Sequence, residues 1–344
     1  MALPVVMYGI PPRPWHVNVL NTASVCNPKS LYFLSNCDKW HSLRGFNASA
    51  WKCVNATPTR WSDEIASLHP GPPRKHPNPK AFEMASIVRW VFVYQFAERK
   101  SLARFLFVDC DVLIFSSISA TLSDQFRTAD SLTLGRNGAM SVWSLRGIRE
   151  FAHFLVRVVR VCDANVLSHK YAVDMSLIKL WQRPQLTNAS VPIDHCNASV
   201  HATGARVAHF ETSLRSGYWV GDVNAPKQKR NASRNSVSCA SSDNLAVAPR
   251  TAFVKHPNAS FGTLAVVEAY DFAEVCSPFV MDVCSKALLP VHMAHYTGRY
   301  KAWLSARRSV PHSRCKCVRQ SGALIPTAIT NKPGSAQSLL ALTI

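Results

Sequence analysis

Apolar residues recur with helical spacing in two long segments of the chain. Residues 80–98 contain helix formers, no Gly or Pro, and apolar side chains on nearly every face, so we predict a buried helix. A second helix is predicted after Ser144, which could cap it. Five of its apolar residues would share one face: Leu145, Ile148, Phe151, Leu155 and Val158. Residues 171–181 form a shorter helix candidate.

Shorter apolar runs predict the strands. Residues 15–22 and 30–36 are predicted to be two strands joined by a Cys-Asn-Pro turn. Residues 104–109 form a strongly apolar strand, and residues 132–145 form two strands around a turn that contains Gly. The last segment with an ordered pattern is 290–304. Because strands alternate with helices, we predict an α/β fold with a mainly parallel sheet flanked by helices.

The chain has 344 residues, enough for one large domain or two. We predict a single domain over residues 15–304, an N-terminal extension over 1–14, and a basic, partly disordered tail over 305–344. Residues 224–250 are rich in Asn, Ser, Ala and basic residues and are predicted to be a loop or insertion. Residues 37–79 are predicted to be irregular.

The formal net charge of +19 suggests an anionic partner. Nucleic acid, an acidic glycan, a membrane surface and a nucleotide phosphate all satisfy that requirement. Every charged residue after Asp282 is basic, so the C-terminal part is the most positive. The sequence has no zinc-finger spacing, RNA-binding signature or basic zipper, and we therefore do not expect a nucleic-acid partner.

Cysteines and glycosylation sequons favour the secretory lumen, with the Golgi as the expected compartment. Six asparagines stand in N-x-S/T sequons: Asn47, Asn55, Asn188, Asn197, Asn231 and Asn258. Five of the eleven cysteines are candidate disulfide partners: Cys26, Cys37, Cys53, Cys276 and Cys284. The first residues make a poor signal peptide, and no run of 18 apolar residues is present. Any membrane association would therefore depend on a segment absent from this chain.

The stretch RFLFVDCDVLIF, residues 104–115, places two carboxylates inside an apolar run. Burying Asp109 and Asp111 is costly unless a partner neutralises them. Mg²⁺ and Mn²⁺ bind carboxylate oxygens and bridge to diphosphates. Because strand side chains alternate, residues i and i+2 point the same way, and ligands bind at the carboxyl end of such sheets. We therefore predict that both aspartates converge on one ion, with a solvated acidic turn as the alternative.

A second candidate segment is HYTGRYKAW, residues 295–303. His295 offers an imidazole to a metal such as Mn²⁺, and Gly298 allows close approach of the backbone to a ligand. Lys301 supplies a point charge suited to a phosphate. A surface turn with a packed Tyr and Trp is the alternative interpretation of this segment.

The order of these segments resembles that of the GT-A-fold glycosyltransferases, in particular the glycogenin and galacturonosyltransferase-like family 8 and its relatives. Those proteins have a strand ending in D-x-D, an Asn-Gly segment, an internal Asp on a following helix, and a late H-x-x-G-x-x-K. The matching segments here are FVDCDVLIF, RNGAMSVW, AVDMSLI and HYTGRYK. The resemblance implies a GT-A-like domain with a nucleotide-binding sheet.

The resemblance also implies roles for individual residues. Asp109, Asp111 and His295 would hold Mn²⁺ (or Mg²⁺), and Gly298 and Lys301 would contact the diphosphate of a nucleotide-sugar. Three further residues would act near the donor: Asn137 and Asp174 facing the transferred sugar, and Arg89 reaching the donor. Since Arg89 lies in the middle of the predicted buried helix, it needs an anionic partner.

The implied activity is transfer of a sugar, most simply from a UDP-sugar, to a glycan, protein or lipid acceptor. The resemblance favours retention of configuration, but Asp174 or Glu150 could be the base of an inverting enzyme. A nucleotidyltransferase that makes sugar nucleotides is less favoured, because NTASVCNPKS contains no glycine. A non-catalytic glycan- or nucleotide-binding protein on a degenerate GT-A fold is the remaining alternative.

Overall fold

The structure is a computed structural model. It describes residues 3–9, 16–27, 31–40, 48–73, 79–114, 128–134, 138–193, 196, 198–210, 219–223, 251–252, 267–268, 278–282 and 288–296.

Among the described residues, the main sheet has seven strands, and four of its six strand pairs are parallel. Its strands are β1 (Val5–Tyr8), β2 (Leu31–Ser35), β3 (Lys52–Asn55), β4 (Arg104–Asp109), β6 (Ser131–Leu134), β7 (Met140–Ser144) and β10 (Val207–Phe210). Their order across the sheet is β10-β6-β7-β4-β1-β2-β3, with β7 antiparallel to both neighbours. The predicted α/β class with a mainly parallel sheet is confirmed.

The described helices flank this sheet. They are α1 (His16–Cys26), α2 (Cys37–Trp40), α3 (Arg60–Leu68), α4 (Lys80–Arg99), α5 (Leu145–Val161), α6 (Ala164–His169) and α7 (Asp174–Thr187). Helices α3, α4 and α5 pack against one another, and α7 contacts both α4 and α5. The predicted helices at 80–98 and after Ser144 are confirmed, and the Ser144 side chain accepts a hydrogen bond from the Gly147 N–H as an N-cap.

A second sheet of six strands is built around one long strand. Its strands are β5 (Val112–Ile114), β11 (Trp219–Val223), β12 (Thr251–Ala252), β13 (Val267–Glu268), β14 (Pro278–Asp282) and β15 (Leu288–Tyr296). Strand β15 pairs with β5, β11 and β14. A separate hairpin consists of β8 (Val191–Pro192) and β9 (Ser199–Val200).

Three predictions about the first eighty residues were wrong. In the segment 15–22, which was predicted to be a strand, residues 16–22 are part of α1. Buried Val19, Leu20 and Ala23 follow the spacing of a helix rather than strict alternation. The predicted extension 1–14 contains β1, which lies between β2 and β4 in the sheet. Its four residues are all buried, so this part belongs to the core.

The segment 37–79, predicted to be irregular, contains α2, β3 and α3. Thr59 and Ser62 cap the start of α3 reciprocally, each side chain bonding the other residue's backbone N–H. Strand β3 extends the sheet by pairing with β2. No strand signal for β3 is visible in the sequence, because it is an edge strand whose side chains are all exposed or half-buried.

Two disulfides join distant parts of the described chain. Cys37–Cys53, a pair among the predicted candidates, joins α2 to β3. Cys162–Cys196, which was not predicted, joins the end of α5 to the β8–β9 hairpin.

In the described part of the chain, no helix combines the length and apolar character that crossing a bilayer requires.

The core between α4, α5, α7 and β7 is aromatic. Trp90, Trp143 and Trp181 are essentially buried, and Phe151 packs among them. The ring centroids of Trp90 and Trp143 are 5.4 Å apart, and those of Trp143 and Trp181 are 5.6 Å apart. These rings form a rigid layer directly behind the candidate site.

Candidate metal centre

The D-x-D segment lies where the chain leaves the main sheet and enters the second one. Strand β4 ends at Asp109, whose backbone N–H donates to Ala139 O at 2.8 Å. Cys110 and Asp111 form a turn, and β5 begins at Val112. The two aspartates therefore converge because of this turn, and not through strand alternation as predicted.

Pairing between β5 and β15 brings His295 to the same place. His295 is opposite Val112 in the register, one residue away from Asp111. Its Nε2 lies 3.2 Å from Asp111 Oδ1, and both side chains are buried. One potential ligand atom from each of Asp109, Asp111 and His295 lies within 4.8 Å of the others.

The chemistry of this group fits a divalent cation. Two carboxylates and an imidazole are ligands that Mn²⁺ accepts, and carboxylate oxygens alone suit Mg²⁺. Asp111 and His295 are 4% and 6% exposed, so the group is screened little by solvent. The structure thus brings together the three residues for which the sequence predicted metal binding.

Arg89 of α4 reaches the other side of Asp109. Its Nη1 donates to Asp109 Oδ1 at 2.5 Å, and its Nη2 donates to Asp174 Oδ2 at 2.7 Å. The guanidinium also lies over the rings of Trp90 and Phe107, 5.3 and 5.2 Å from their centroids. The anionic partner that the sequence required for Arg89 is therefore a pair of aspartates.

Asp174 is the first residue of α7 and is 5% exposed. Besides the Arg89 bond, its Oδ2 accepts a hydrogen bond from Trp90 Nε1 at 3.0 Å. Asp174 is thus linked to Asp109 through Arg89.

Burial and neighbouring charges set the protonation of these groups. Burial raises the pKa of Asp109 to about 6; Asp111 adds to this effect, while Arg89 and His295 oppose it. Burial also disfavours the charged form of Arg89, but Asp109 and Asp174 outweigh this and raise its pKa above the usual value. A bound cation would favour the ionised form of Asp109 further.

Tyr8 is a neighbour that the sequence did not single out. It ends β1 and is paired with Asp109 in the parallel register. Burial raises the pKa of Tyr8 to about 12, against the lowering effect of Arg89, so its hydroxyl stays protonated at neutral pH. It was missed because its strand was assigned to an extension outside the domain.

Three predicted donor-binding residues, Asn137, Gly298 and Lys301, lie outside the described residues. Gly138, next to Asn137, packs closely on α7, and a Cβ added there would lie 2.5 Å from Ile178 Cδ1. A larger residue at this position would therefore have to displace the end of the Ile178 side chain.

No protein-family model and no curated protein matches the sequence. Among solved structures, the galactosyltransferase LgtC in complex with donor and acceptor sugar analogs is 10% identical, with 90% of this chain and 98% of that chain covered and a TM-score of 0.42.

Mouse xyloside xylosyltransferase 1 is 10% identical, covering 54% of this chain and 83% of that chain, with a TM-score of 0.38. The bifunctional glycosyltransferase WbbM is 13% identical over 52% of this chain, with a TM-score of 0.33. This chain spans only 37% of the length of WbbM. These neighbours are all glycosyltransferases, and at such TM-scores the similarity does not by itself establish a shared fold or activity.

Proposed function

We propose that this protein is a GT-A-like glycosyltransferase that moves a sugar from a nucleotide-diphosphate sugar, a UDP-sugar in the simplest case, to a glycan, protein or lipid acceptor. The observation that carries the proposal is the group of Asp109, Asp111 and His295, drawn from two segments that are distant in sequence and meet through β5–β15 pairing. The same two segments are among the four on which the sequence resemblance to the family 8 enzymes and their relatives rests.

Asp109, Asp111 and His295 would hold Mn²⁺, or Mg²⁺ in its place. When bound, the ion would stabilise the negative charge on the leaving nucleoside diphosphate. We propose that Gly298 and Lys301 contact the same diphosphate, with Lys301 adding a positive charge. Arg89 would keep Asp109 ionised and fixed as a ligand, since the two are joined by a buried ion pair.

We propose that Asn137 and Asp174 line the position of the transferred sugar and that configuration is retained. An inverting enzyme needs a carboxylate free to take the proton of the acceptor hydroxyl. Oδ2 of Asp174 is engaged by Arg89 and Trp90, and Glu150 on α5 is bonded to Arg146 and Thr203. The engagement of both candidate bases supports retention.

We also propose that the protein works in the lumen of the secretory pathway, in the Golgi. Two disulfides among the described residues are typical of an oxidising compartment. The sequon residues Asn55 and Asn188 are exposed, as attachment of a glycan requires.

The test is a panel of sugar nucleotides offered with Mn²⁺, followed by thermal unfolding and by release of the free sugar. A true donor should stabilise the protein only with the metal, by about 2.7 kcal/mol at one hundred times its Kd. Asp111→Ala should abolish both the stabilisation and the release. Asp63→Ala, which changes an exposed aspartate on α3, should leave both intact.

Nucleotide binding without release or transfer of sugar would favour the non-catalytic alternative. If neither Mn²⁺ nor any nucleotide-sugar changes the unfolding temperature, the proposed function is wrong.

A further inference from the structure

Trp90 combines complete burial with a polar contact toward the candidate metal centre. It is 0% exposed, and its ring packs against Phe107, Trp143 and Phe151. A buried indole N–H requires an acceptor, and here the acceptor is Asp174 Oδ2 at 3.0 Å. The apolar packing alone could be satisfied by a phenyl ring, but the hydrogen bond could not.

This hydrogen bond is the first of three consecutive contacts. The same Oδ2 of Asp174 accepts from Arg89 Nη2, and Arg89 Nη1 donates to Asp109 Oδ1. Trp90 and Arg89 are adjacent on α4, so both side chains that donate to Asp174 come from the same helix. Two donors of one helix thereby hold the same oxygen of Asp174.

The contact between Arg89 and Asp109 sets the orientation of the Asp109 carboxylate relative to Asp111 and His295. Its Oδ1 is engaged by Arg89. A guanidinium that shifted or rotated would take Oδ1 with it and reorient the carboxylate. Partners behind a ligand commonly set its orientation in this way, and their loss typically weakens metal binding about 10- to 100-fold.

We propose that Trp90 is a positioning residue of this metal centre: its indole N–H fixes Asp174, which fixes Arg89, which holds Asp109 in the orientation that binds the ion. This inference rests on the metal site of the proposed function. It assigns a measurable effect on metal affinity to a core tryptophan whose single N–H donates to Asp174.

Trp143 provides a matched control in the same core. It is also 0% exposed, and its Nε1 donates to the side chain of Ser141 at 2.8 Å. Trp90→Phe and Trp143→Phe therefore remove the same atoms and one buried hydrogen bond each. Only Trp90→Phe breaks a hydrogen bond that is connected to Asp109, through Asp174 and Arg89.

The experiment measures the Kd of Mn²⁺ for the full chain by titration calorimetry and by the electron paramagnetic resonance signal of free Mn²⁺. Urea unfolding of each variant is measured alongside. Both substitutions should lower stability to a similar extent. Trp90→Phe should weaken Mn²⁺ binding about 10- to 100-fold, whereas Trp143→Phe should change the Kd less than about threefold.

A double-mutant cycle tests the route of the effect. Asp174→Asn keeps an acceptor for Trp90 but removes the charge that holds Arg89, and should itself weaken Mn²⁺ binding. In that background, Trp90→Phe should have little further effect, because Trp90 acts through Asp174. Additive effects of the two substitutions would overturn the proposed route.

The outcomes separate this inference from the proposed function. If the wild-type protein binds no Mn²⁺, the proposed function fails, and the positioning role fails with it. If the wild type binds Mn²⁺ and both Trp variants bind it equally, Trp90 is only a core residue and this inference alone is wrong. Should Trp90→Phe not fold, an unchanged Mn²⁺ affinity in Asp174→Asn would overturn the inference.

Discussion

At the scale of single residues, Arg89 lowers the energetic cost of burying two carboxylates. The sequence places it in the middle of a buried helix and requires an anionic partner, without indicating which one. In the structure it pairs with Asp109 and Asp174 and lies over two aromatic rings. The cost of burying Asp109 is thus offset within the protein itself, in addition to any contribution from a cation.

We predict that Arg89→Met destabilises the protein by about 3–5 kcal/mol, because it leaves two buried carboxylates without their cation. Urea unfolding monitored by circular dichroism measures the change. The control is Arg149→Met, which breaks an ion pair with Glu98 between side chains that are about half exposed. The loss of stability in this control should be much smaller, because solvent screens an exposed ion pair. Equal losses in the two variants would show that the Arg89 pairs contribute no more than a surface pair.

At the scale of elements, the buried side chain of His69 connects the end of α3 to the segment before α7. His69 ends α3, and its Nε2 lies 3.1 Å from Tyr171 O, just before α7. Its Nδ1 accepts a hydrogen bond from the Gly71 N–H at 3.0 Å, so the neutral imidazole donates through Nε2. Protonation would place a hydrogen on Nδ1, which could then no longer accept the hydrogen bond from Gly71.

This arrangement predicts a pH dependence of stability. Burial lowers the pKa of His69 below the usual 6.5 of a histidine, and the hydrogen bond to Tyr171 opposes this effect. The unfolded chain therefore binds the proton more readily, so the stability that His69 contributes is present above about pH 6.5 and is lost as the pH falls through the pKa of the folded state.

We expect unfolding free energies measured between about pH 7.5 and pH 5 to fall more steeply in the wild type than in His69→Gln, which cannot titrate. The comparison cancels the contributions of the other histidines. Parallel pH profiles would contradict the predicted role of His69.

At the scale of the whole molecule, the candidate site joins the two sheets. Asp109 belongs to the end of the main sheet, and His295 belongs to β15 of the second sheet. Two of the three ligands are carboxylates, and burial and the nearby charge of Asp111 both raise the pKa of Asp109. The site therefore costs stability in the absence of an ion, and an ion should restore it by bridging the sheets.

We predict that Asp111→Asn changes stability in opposite directions with and without metal. Without metal, removal of one buried charge should raise the free energy of unfolding on the order of 1 kcal/mol. With saturating Mn²⁺, the wild type should gain stability and the variant should not. Thermal unfolding with and without a chelator measures both effects. A variant that is less stable than the wild type in chelator would contradict the argument.

Much of the local structure could be predicted from the sequence. The buried helix α4, the strand β4, the hairpin of β6 and β7 and the cap at Ser144 follow from local periodicity and local chemistry. The errors concern α1 and β1, where short apolar segments fit more than one period or fall outside the expected domain. The disulfide Cys162–Cys196 was missed because disulfide connectivity is not encoded in local pattern.

The sequence by itself determined which residues could carry the chemistry: a D-x-D after a buried strand, a later histidine, and an arginine that needed an acid. Only the tertiary structure decided how they meet. Strand pairing between β5 and β15 places His295 beside Asp111, and helix packing places Arg89 between Asp109 and Asp174. Local periodicity specifies which face of each element is apolar, but the register between segments distant in the chain depends on the packing of all of them together.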